Sequence, residues 1–346
     1  MRPIETRNLQ AGMRIARTIH DDGGRVLLSA GSRLTDRYIK KLAEFGIPFI
    51  YIEDELVGPL EVEDVIHDRV RIQTVAALKQ IAENIRLSKE VDFRQISDLV
   101  NKILDDLREI PNLLVQLMDI RSSNMYNYNH AISVCVLSAL TGKVLMLDDL
   151  KIKALGMGAI LHDVGKTISE GPEHTLHGFE ILRNNRMLNV MIAHVAYQHH
   201  EKYDGSGFPR QLKAEDIHLF ASIVGVANCY DNLVSAADPG KRLYPYQALE
   251  KVTAESGRSF HPEIVKAFCQ NIAPYPVGTA VRLNNGAVGV VIKVQKNFPT
   301  RPVVKLITNH VGVLLNNFPE IDLMKERTLF INQIISEQER QDIVAG

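Results

Sequence analysis

Two histidine-rich stretches decide the fold of this 346-residue chain: HDVGK at residues 162–166 and HHEKYDGSGFP at residues 199–209. The first follows the apolar segment LGMGAIL, and the second begins near the end of a predicted helix. Seven of the twelve histidines lie between residues 130 and 200, which is far from an even distribution. Several histidines with acidic neighbours inside one helical segment indicate a metal site rather than isolated structural histidines.

The HDVGK stretch places two metal ligands and a cation close together. Adjacent side chains on a helix point about 100° apart, so His162 and Asp163 can hold one ion from two sides. A carboxylate has two oxygens, and Asp163 can therefore bridge two cations. Lys166 lies three residues later on nearly the same face. We expect its ammonium group to face an anion bound to those cations.

The second stretch combines further ligands with a glycine-rich turn. His199 and His200 can complete a second ion site. Gly205 and Gly207 permit backbone turns that other residues disfavour, so backbone amides can approach a phosphate or a base. The segment DGSGFP alone would be an ordinary turn, but its position directly after HHE favours a ligand-binding loop.

Composition excludes several classes of protein. Hydrophobic residues make up 45% of the chain and charged residues 23%, which is enough apolar material for a sizeable core. The net charge is −1, so a nucleic-acid polymer bound by bulk electrostatics is not expected. Three cysteines without a C-x-x-C pair predict no disulfide scaffold and a cytoplasmic location. Apolar runs stay short of the ~20 residues of a membrane segment.

The first part of the chain, residues 1–57, is predicted to be a small α/β domain of regulatory type. Strand-like runs at Met13–Thr18 and Arg25–Leu28 flank the turn signal Asp21–Gly24. Residues 35–45 show helical spacing, with Thr35 as the candidate N-cap.

Four further segments complete the predicted organisation. Residues 58–120 are a helical linker or the start of a bundle, with an apolar stripe that packs either inside the chain or against a second copy in a homodimer. Residues 121–273 continue as helices. Residues 274–335 form a small antiparallel β-rich appendix. Residues 336–346 are a polar tail that we expect to fray.

These motifs together resemble the HD-GYP family, a branch of the HD metal-dependent phosphohydrolases whose members hydrolyse the bacterial messenger cyclic di-GMP. The resemblance rests on His130, HDVGK, His174 in HTLHG, and HHEKYDGSGFP, and it covers residues 121–272. It implies a mainly α fold, with an HD-type helical bundle core between a small α/β N-terminal domain and a small antiparallel β C-terminal appendix. Bacterial origin is implied as well.

The resemblance also implies roles for individual residues. His130, His162 and Asp163 would hold one ion, with Asn228 as a further, weak ligand. Asp163 would be shared with a second ion held by His174, His199 and His200. Asp163 and Lys166 would be the catalytic residues, with Lys166 on the scissile phosphate. The substrate-binding residues would be Lys166, Asp204, Gly205, Gly207, Phe208, Pro209 and Arg242.

The chain departs from the family pattern at several positions. Asn228 stands where the family has the closing aspartate of the metal site, and it brings no charge to offset a cation. Phe208 replaces the usual tyrosine of the signature, and Pro245 replaces a basic residue. Tyr126 occupies the place where some members carry a glutamate for a third metal, so two ions are expected.

The resemblance thus implies a phosphodiesterase that hydrolyses cyclic di-GMP to linear pGpG by metal-activated water, with GMP left open as a further product. The cofactors would be two divalent transition-metal ions, iron or manganese before zinc. The alternative is a catalytically impaired receptor that binds cyclic di-GMP without efficient cleavage, because Asn228 weakens the first ion site. A hydrolase of this type acting on another nucleotide is a third hypothesis.

Overall fold

The computed structural model describes most of the chain: residues 1–21, 25–47, 49–54, 56–58, 60, 65–109, 114, 126–236 and 239–345. Within these ranges the chain forms eleven α-helices and nine β-strands, which confirms the predicted mainly α fold. None of these helices combines the length and the hydropathy that a bilayer crossing requires.

The helices and strands are numbered in chain order. The helices are α1 (Asp36–Glu44), α2 (Asp68–Arg86), α3 (Arg94–Glu109), α4 (Tyr126–Val144), α5 (Asp149–Leu161), α6 (His174–Arg183), α7 (Val190–Gln198), α8 (Leu219–Val234), α9 (Pro245–Ala254), α10 (Pro262–Cys269) and α11 (Glu337–Ala345). The strands are β1 (Arg2–Glu5), β2 (Ile19–His20), β3 (Val26–Leu28), β4 (Phe49–Ile52), β5 (Ala280–Leu283), β6 (Val288–Lys293), β7 (Val303–Leu306), β8 (Glu320–Asp322) and β9 (Ile331–Ile334).

The chain divides into two compact units. The helical unit comprises Asp64–Val115 and Met125–Asn271, and the mixed unit comprises Met1–Glu63, Gln116–Asn124 and Ile272–Gly346. The five-part division from the sequence stays a prediction, and its boundary at residue 120 lies outside the described residues.

Helix α4 is the centre of the helical unit. Its residues 129–142 are buried on every side, as expected for a helix that is apolar around its whole circumference. It packs against α5, α8 and α10, while α5 and α6 both pack against α7. This arrangement brings the first turn of α4, the end of α5 and the end of α7 together, and these are the places where the sequence puts histidines.

The predicted helical segment before residue 120 is present as α2 and α3. Its apolar stripe is buried inside the helical unit, where α3 packs against α2, α4 and α5. The stripe residues are Ile96, Val100, Ile103, Leu104 and Leu107. Packing within one chain therefore accounts for the stripe, and a homodimer through residues 60–120 stays a prediction.

The N-terminal segment of the mixed unit contains two short antiparallel pairs, β1 with β4 and β2 with β3. The Thr35 hydroxyl accepts a hydrogen bond from the amide of Tyr38, which confirms the predicted N-cap. The predicted strand at Met13–Thr18 is wrong. Its backbone bonds alternately to two different segments, at Ser32 and at Tyr51, so no continuous ladder forms. Residues 22–24 of the predicted turn lie outside the described residues.

The C-terminal segment contains a five-stranded antiparallel sheet in the order β8-β7-β6-β5-β9. The sheet confirms the predicted antiparallel appendix and adds β8 and β9, which are short and carry few β-branched residues.

The expectation of a frayed tail is wrong, because this segment forms α11. Arg340 of α11 donates to Asp54 over 2.6 Å, and both side chains are more than nine-tenths buried. Arg2 pairs with Asp54 and with Glu337. A buried carboxylate between two arginines fixes this helix in the mixed unit.

Candidate metal centre

The histidine–aspartate pair lies directly at the end of α5. His162 follows the last residue of this helix, and its Nδ1 donates to the carbonyl of Ala159 over 2.7 Å. Its Nε2 lies 3.2 Å from Oδ2 of Asp163. The chain then makes a 3-10 turn over Val164–Thr167. A Cβ at Gly165 would lie 1.9 Å from the carbonyl oxygen of His174, so only glycine lets α6 begin against this turn.

Two further imidazoles converge on the same carboxylate. His174 donates from Nδ1 to the carbonyl of Gly171 over 2.7 Å, and His199 donates from Nδ1 to the carbonyl of Ala196 over 3.0 Å. The Nε2 atoms of His174 and His199 lie 3.4 Å and 3.5 Å from Oδ1 of Asp163. The Nε2 atoms of the two histidines lie 3.4 Å from one another.

The donor set fits metal ions. A backbone carbonyl accepts from Nδ1 of His162, His174 and His199, so Nε2 is the nitrogen that each of these imidazoles can offer to a metal ion. These Nε2 atoms face one another and the carboxylate, which is the placement expected of a ligand set around a cation. Consistent with this, His162 Nε2 and Asp163 Oδ1 are buried without a hydrogen-bond partner among the described residues.

The ligand atoms form two groups that share one residue. Oxygen and nitrogen atoms of Asp163, His174, His199 and His200 lie within 4.8 Å of one another, and so do those of His130, His162 and Asp163. We call the group with His130 the first ion site and the group with His200 the second ion site. The structure thus brings together all six histidine and aspartate residues that the sequence predicts as ligands.

The electrostatics of these groups keep them in the protonation states that bind metal. Burial opposes the charge on Asp163, but His162, His174 and His199 around it hold the pKa of its carboxyl well below the usual range. Burial lowers the pKa of His199 to about 4. Burial and the neighbouring imidazoles lower the pKa of His200 to about 2. At neutral pH the carboxylate is charged and these imidazoles are neutral.

The remaining predicted ligand, Asn228, lies beside His130. Asn228 is on the third turn of α8, and its Oδ1 is 3.0 Å from His130 Nε2. The other nitrogen of His130 contacts Asp231 Oδ2 over 2.7 Å, and Asp231 is completely buried. Asp231 was not predicted as a site residue, although it lies three residues after Asn228 on the same helix.

The signature loop is fixed by a buried carboxylate and by close backbone packing. Glu201 accepts from the amides of Arg210 and Leu212 over 2.7 Å and 3.0 Å. A Cβ at Gly207 would lie within 2.6 Å of three backbone atoms of residues 200–202. The ring of Phe208 stacks on His200, with centroids 4.7 Å apart. The loop therefore packs directly against the second ion site.

The other predicted substrate-binding residues lie in different settings. Lys166 donates to Asp163 Oδ2 over 2.5 Å, and its side chain is 36% exposed. Asp204 is exposed and accepts from the amide of Ser206, which closes the turn of the loop. Arg242 donates to the carbonyl of Ala236 over 2.6 Å, close to the end of α8.

The helical bundle and its paired histidine–aspartate groups define an HD domain protein. Residues 112–264 match the HD domain family, and residues 280–343 match the family described as KOW domain associated with HD domain. In its motifs and in the relatives that it matches, the chain is similar to the HD-GYP branch of the HD domain proteins.

Named relatives agree with this assignment. The chain is 29% identical to cyclic di-GMP phosphodiesterase PA4108 of Pseudomonas aeruginosa, over 67% of this chain and 60% of that protein. It is 30% identical to a cyclic di-GMP phosphodiesterase of Thermotoga maritima, over 60% of each. The chain thus spans about 60% of the length of these relatives.

Among solved structures, the chain is similar to Bd1817, an HDG"Y"P protein from Bdellovibrio bacteriovorus, with a TM-score of 0.46 and 17% identity. This similarity covers 77% of this chain and 97% of that one.

Proposed function

We propose that this chain is a metal-dependent phosphodiesterase that hydrolyses cyclic di-GMP to linear pGpG, with GMP left open as a further product. One observation carries the proposal: two groups of imidazoles share the carboxylate of Asp163. A carboxylate that is shared in this way can bind two adjacent cations. The names of the relatives in Pseudomonas and Thermotoga support the choice of substrate.

The residues named as ligands would hold two divalent transition-metal ions. Imidazole nitrogens with carboxylate oxygens suit iron and manganese, which we place before zinc. Two such ions, when bound, supply Lewis-acid stabilisation of an in-line phosphoryl displacement and lower the pKa of water. The chain itself supplies the spacing of the ligands, which is set by the ends of α5 and α7 and by the start of α6.

Lys166 would bind the phosphate group that is cleaved. Its ammonium lies beside the shared carboxylate and is partly open to solvent, so it can pair with an anion that reaches the two ion sites. Positive charge at that position stabilises the negative charge that grows on the phosphoryl oxygens.

The loop from Asp204 to Pro209, together with Arg242, would hold the rest of the nucleotide. Phe208 offers one ring face to a base or to the sugar edge, because its other face covers His200.

The receptor hypothesis is the weaker one. It rests on Asn228, which removes one charge from the first ion site. The relatives reported above are all named phosphodiesterases, which supports an enzyme. Cytoplasmic location and a regulatory N-terminal domain over residues 1–57 are parts of the proposal that the sequence alone supports.

The test is turnover of cyclic di-GMP by the full chain, purified without oxygen and loaded with Mn²⁺ or Fe²⁺, with products separated by chromatography. We expect pGpG from the wild-type chain, and no product from Asp163→Asn. Asp216→Asn, an exposed aspartate of the same unit, is the control and should keep wild-type turnover. Binding of cyclic di-GMP without turnover would establish the receptor, and cleavage only of another cyclic dinucleotide would overturn the substrate.

A further inference from the structure

We propose that Tyr126 and Asn232 are positioning residues that turn the amide oxygen of Asn228 toward the first ion. This inference rests on the metal centre of the proposed function. It concerns the one ligand position where the chain carries an amide in place of a carboxylate, and it explains how an amide can serve there.

The three side chains form a continuous hydrogen-bonded path. The Tyr126 hydroxyl donates to Oδ1 of Asn232 over 3.1 Å. Nδ2 of Asn232 donates to Oδ1 of Asn228 over 2.8 Å. Asn228 and Asn232 are one turn apart on α8, and Tyr126 is the first residue of α4, so the path joins two packed helices.

The path ends at His130, and the orientation of the His130 ring is fixed by its contact with Asp231. The carboxylate of Asp231 can only accept, so the 2.7 Å contact requires Nδ1 of His130 to donate its proton. Nε2 is then the nitrogen that His130 can offer to an ion, and it lies 3.0 Å from Oδ1 of Asn228. Asn232 donates to the same Oδ1, so this oxygen faces Nε2 as an acceptor.

The 3.0 Å between Nε2 of His130 and Oδ1 of Asn228 matches the spacing of two atoms bound to one cation. Two bonds of about 2.1 Å that meet at a right angle would put their ligand atoms about 3 Å apart. The pair of His130 Nε2 and Asn228 Oδ1 therefore has the spacing of two neighbouring metal ligands. Oδ2 of Asp163 lies 4.0 Å from the same Nε2 and 3.2 Å from Nε2 of His162.

An amide needs an orienting partner at this position, whereas a carboxylate does not. A carboxylate presents oxygen whichever way it is turned. An amide turned over presents its NH2 group, which has no lone pair for an ion. Asn232 decides the direction by donating to Oδ1 of Asn228, and the Tyr126 hydroxyl decides the direction of Asn232 in the same way.

The two departures from the family pattern, at Tyr126 and at Asn228, thus belong to one hydrogen-bonded arrangement. Tyr126 stands where some members carry a glutamate, and Asn228 stands where the family has an aspartate. The Tyr126 ring also lies parallel to that of His130, with centroids 5.9 Å apart and an interplanar angle of 7°. The same phenol therefore supports both His130 and, through Asn232, its neighbour Asn228.

The experiment measures binding of Mn²⁺ to the metal-free full chain by calorimetry, with the first ion site assigned by its loss in His130→Ala. We expect Tyr126→Phe to weaken Mn²⁺ binding at the first ion site about 10-fold, as is usual when the hydrogen-bond partner of a metal ligand is removed. The second ion site should change less than about twofold. Asn232→Ala should have the same effect, and the double variant should add little.

The decisive comparison repeats Tyr126→Phe in an Asn228→Asp background. There we expect a change below about twofold, because both ends of the new side chain are oxygens. Tyr128→Phe, in the same turn of α4, is the matched control. If Tyr126→Phe weakens Mn²⁺ binding equally in both backgrounds, the role of Tyr126 is merely structural. If it does not weaken Mn²⁺ binding with Asn228 present, the hydrogen-bonded path does not orient Asn228. Either result overturns the inference.

The outcomes separate this inference from the proposed function. A wild-type chain that binds no Mn²⁺ overturns both. A wild-type chain that binds two ions and cleaves cyclic di-GMP, but whose first ion site ignores Tyr126→Phe, overturns only the positioning path.

Discussion

Replacement of Glu201 by glutamine tests whether one buried carboxylate holds the signature loop. Only 7% of Glu201 is exposed, and each of its two oxygens accepts one backbone amide, from Arg210 and from Leu212. Glutamine has nearly the same shape but offers one acceptor oxygen. Its NH2 group must face one of the two amides, and that amide is left without a partner.

The magnitude follows from these two bonds. A hydrogen bond to a charged group contributes about 1.5–3 kcal/mol, and leaving a buried donor unpaired costs about 1–3 kcal/mol. Because the bonds close a local loop, the loss lowers the free energy of local opening by at least about 2 kcal/mol. Exchange of the two amides with solvent deuterium should then be about 30-fold faster.

The assay is hydrogen exchange of the amides of Arg210 and Leu212, followed beside the metal content of the protein. We expect faster exchange with unchanged metal content, because Glu201 contacts no ligand atom through these bonds. Glu215→Gln, an exposed glutamate after the same loop, is the control and should leave exchange unchanged. Equal protection in Glu201→Gln and in wild type would refute the reasoning.

Three further outcomes are expected. Asp163→Asn should lower the metal content from two ions per chain to none, because this carboxylate is shared, while His200→Ala should keep one; retention of both ions in Asp163→Asn would contradict the shared site. In metal-free protein, burial lowers the pKa of His199 to about 4, so the free energy of unfolding should be highest above pH ~6.5 and fall by about 3 kcal/mol toward pH ~4. Urea denaturation at several pH values checks this fall, which His199→Gln should reduce. Gly207→Ala places a Cβ within 2.6 Å of backbone atoms of the preceding residues, so KM for cyclic di-GMP should rise severalfold, whereas Ser206→Ala should leave it unchanged.

The ligand residues could be predicted from the sequence because their chemistry is carried by residue type and short spacing. His162 with Asp163, and His199 with His200, are neighbours in the chain. The partners that orient them could not be found in this way. Asp231 on α8 contacts His130 on α4, which lies 101 positions earlier, and its spacing from Asn228 shows only a shared helix face and not this contact.

The mixed unit shows a similar limit. Thr35 is a local signal and the N-cap was predicted correctly. The strand predicted at Met13–Thr18 failed because its alternating residues bond to two separate segments rather than to one partner strand. Helix α11 was missed because its polar sequence is stabilised by Arg340, which pairs with an aspartate 286 positions earlier.

The pairing of Asp54 with Arg340 has a consequence for biosynthesis. At about 5–20 residues per second, a ribosome adds Arg340 roughly 15–60 s after Asp54. During that interval the nascent chain carries an aspartate whose final partner has not been made, while the whole helical unit is translated. The helical unit can therefore finish folding before the mixed unit, whose segments precede and follow it in the chain, and a pulse-labelled, protease-treated nascent chain should show protection in that order.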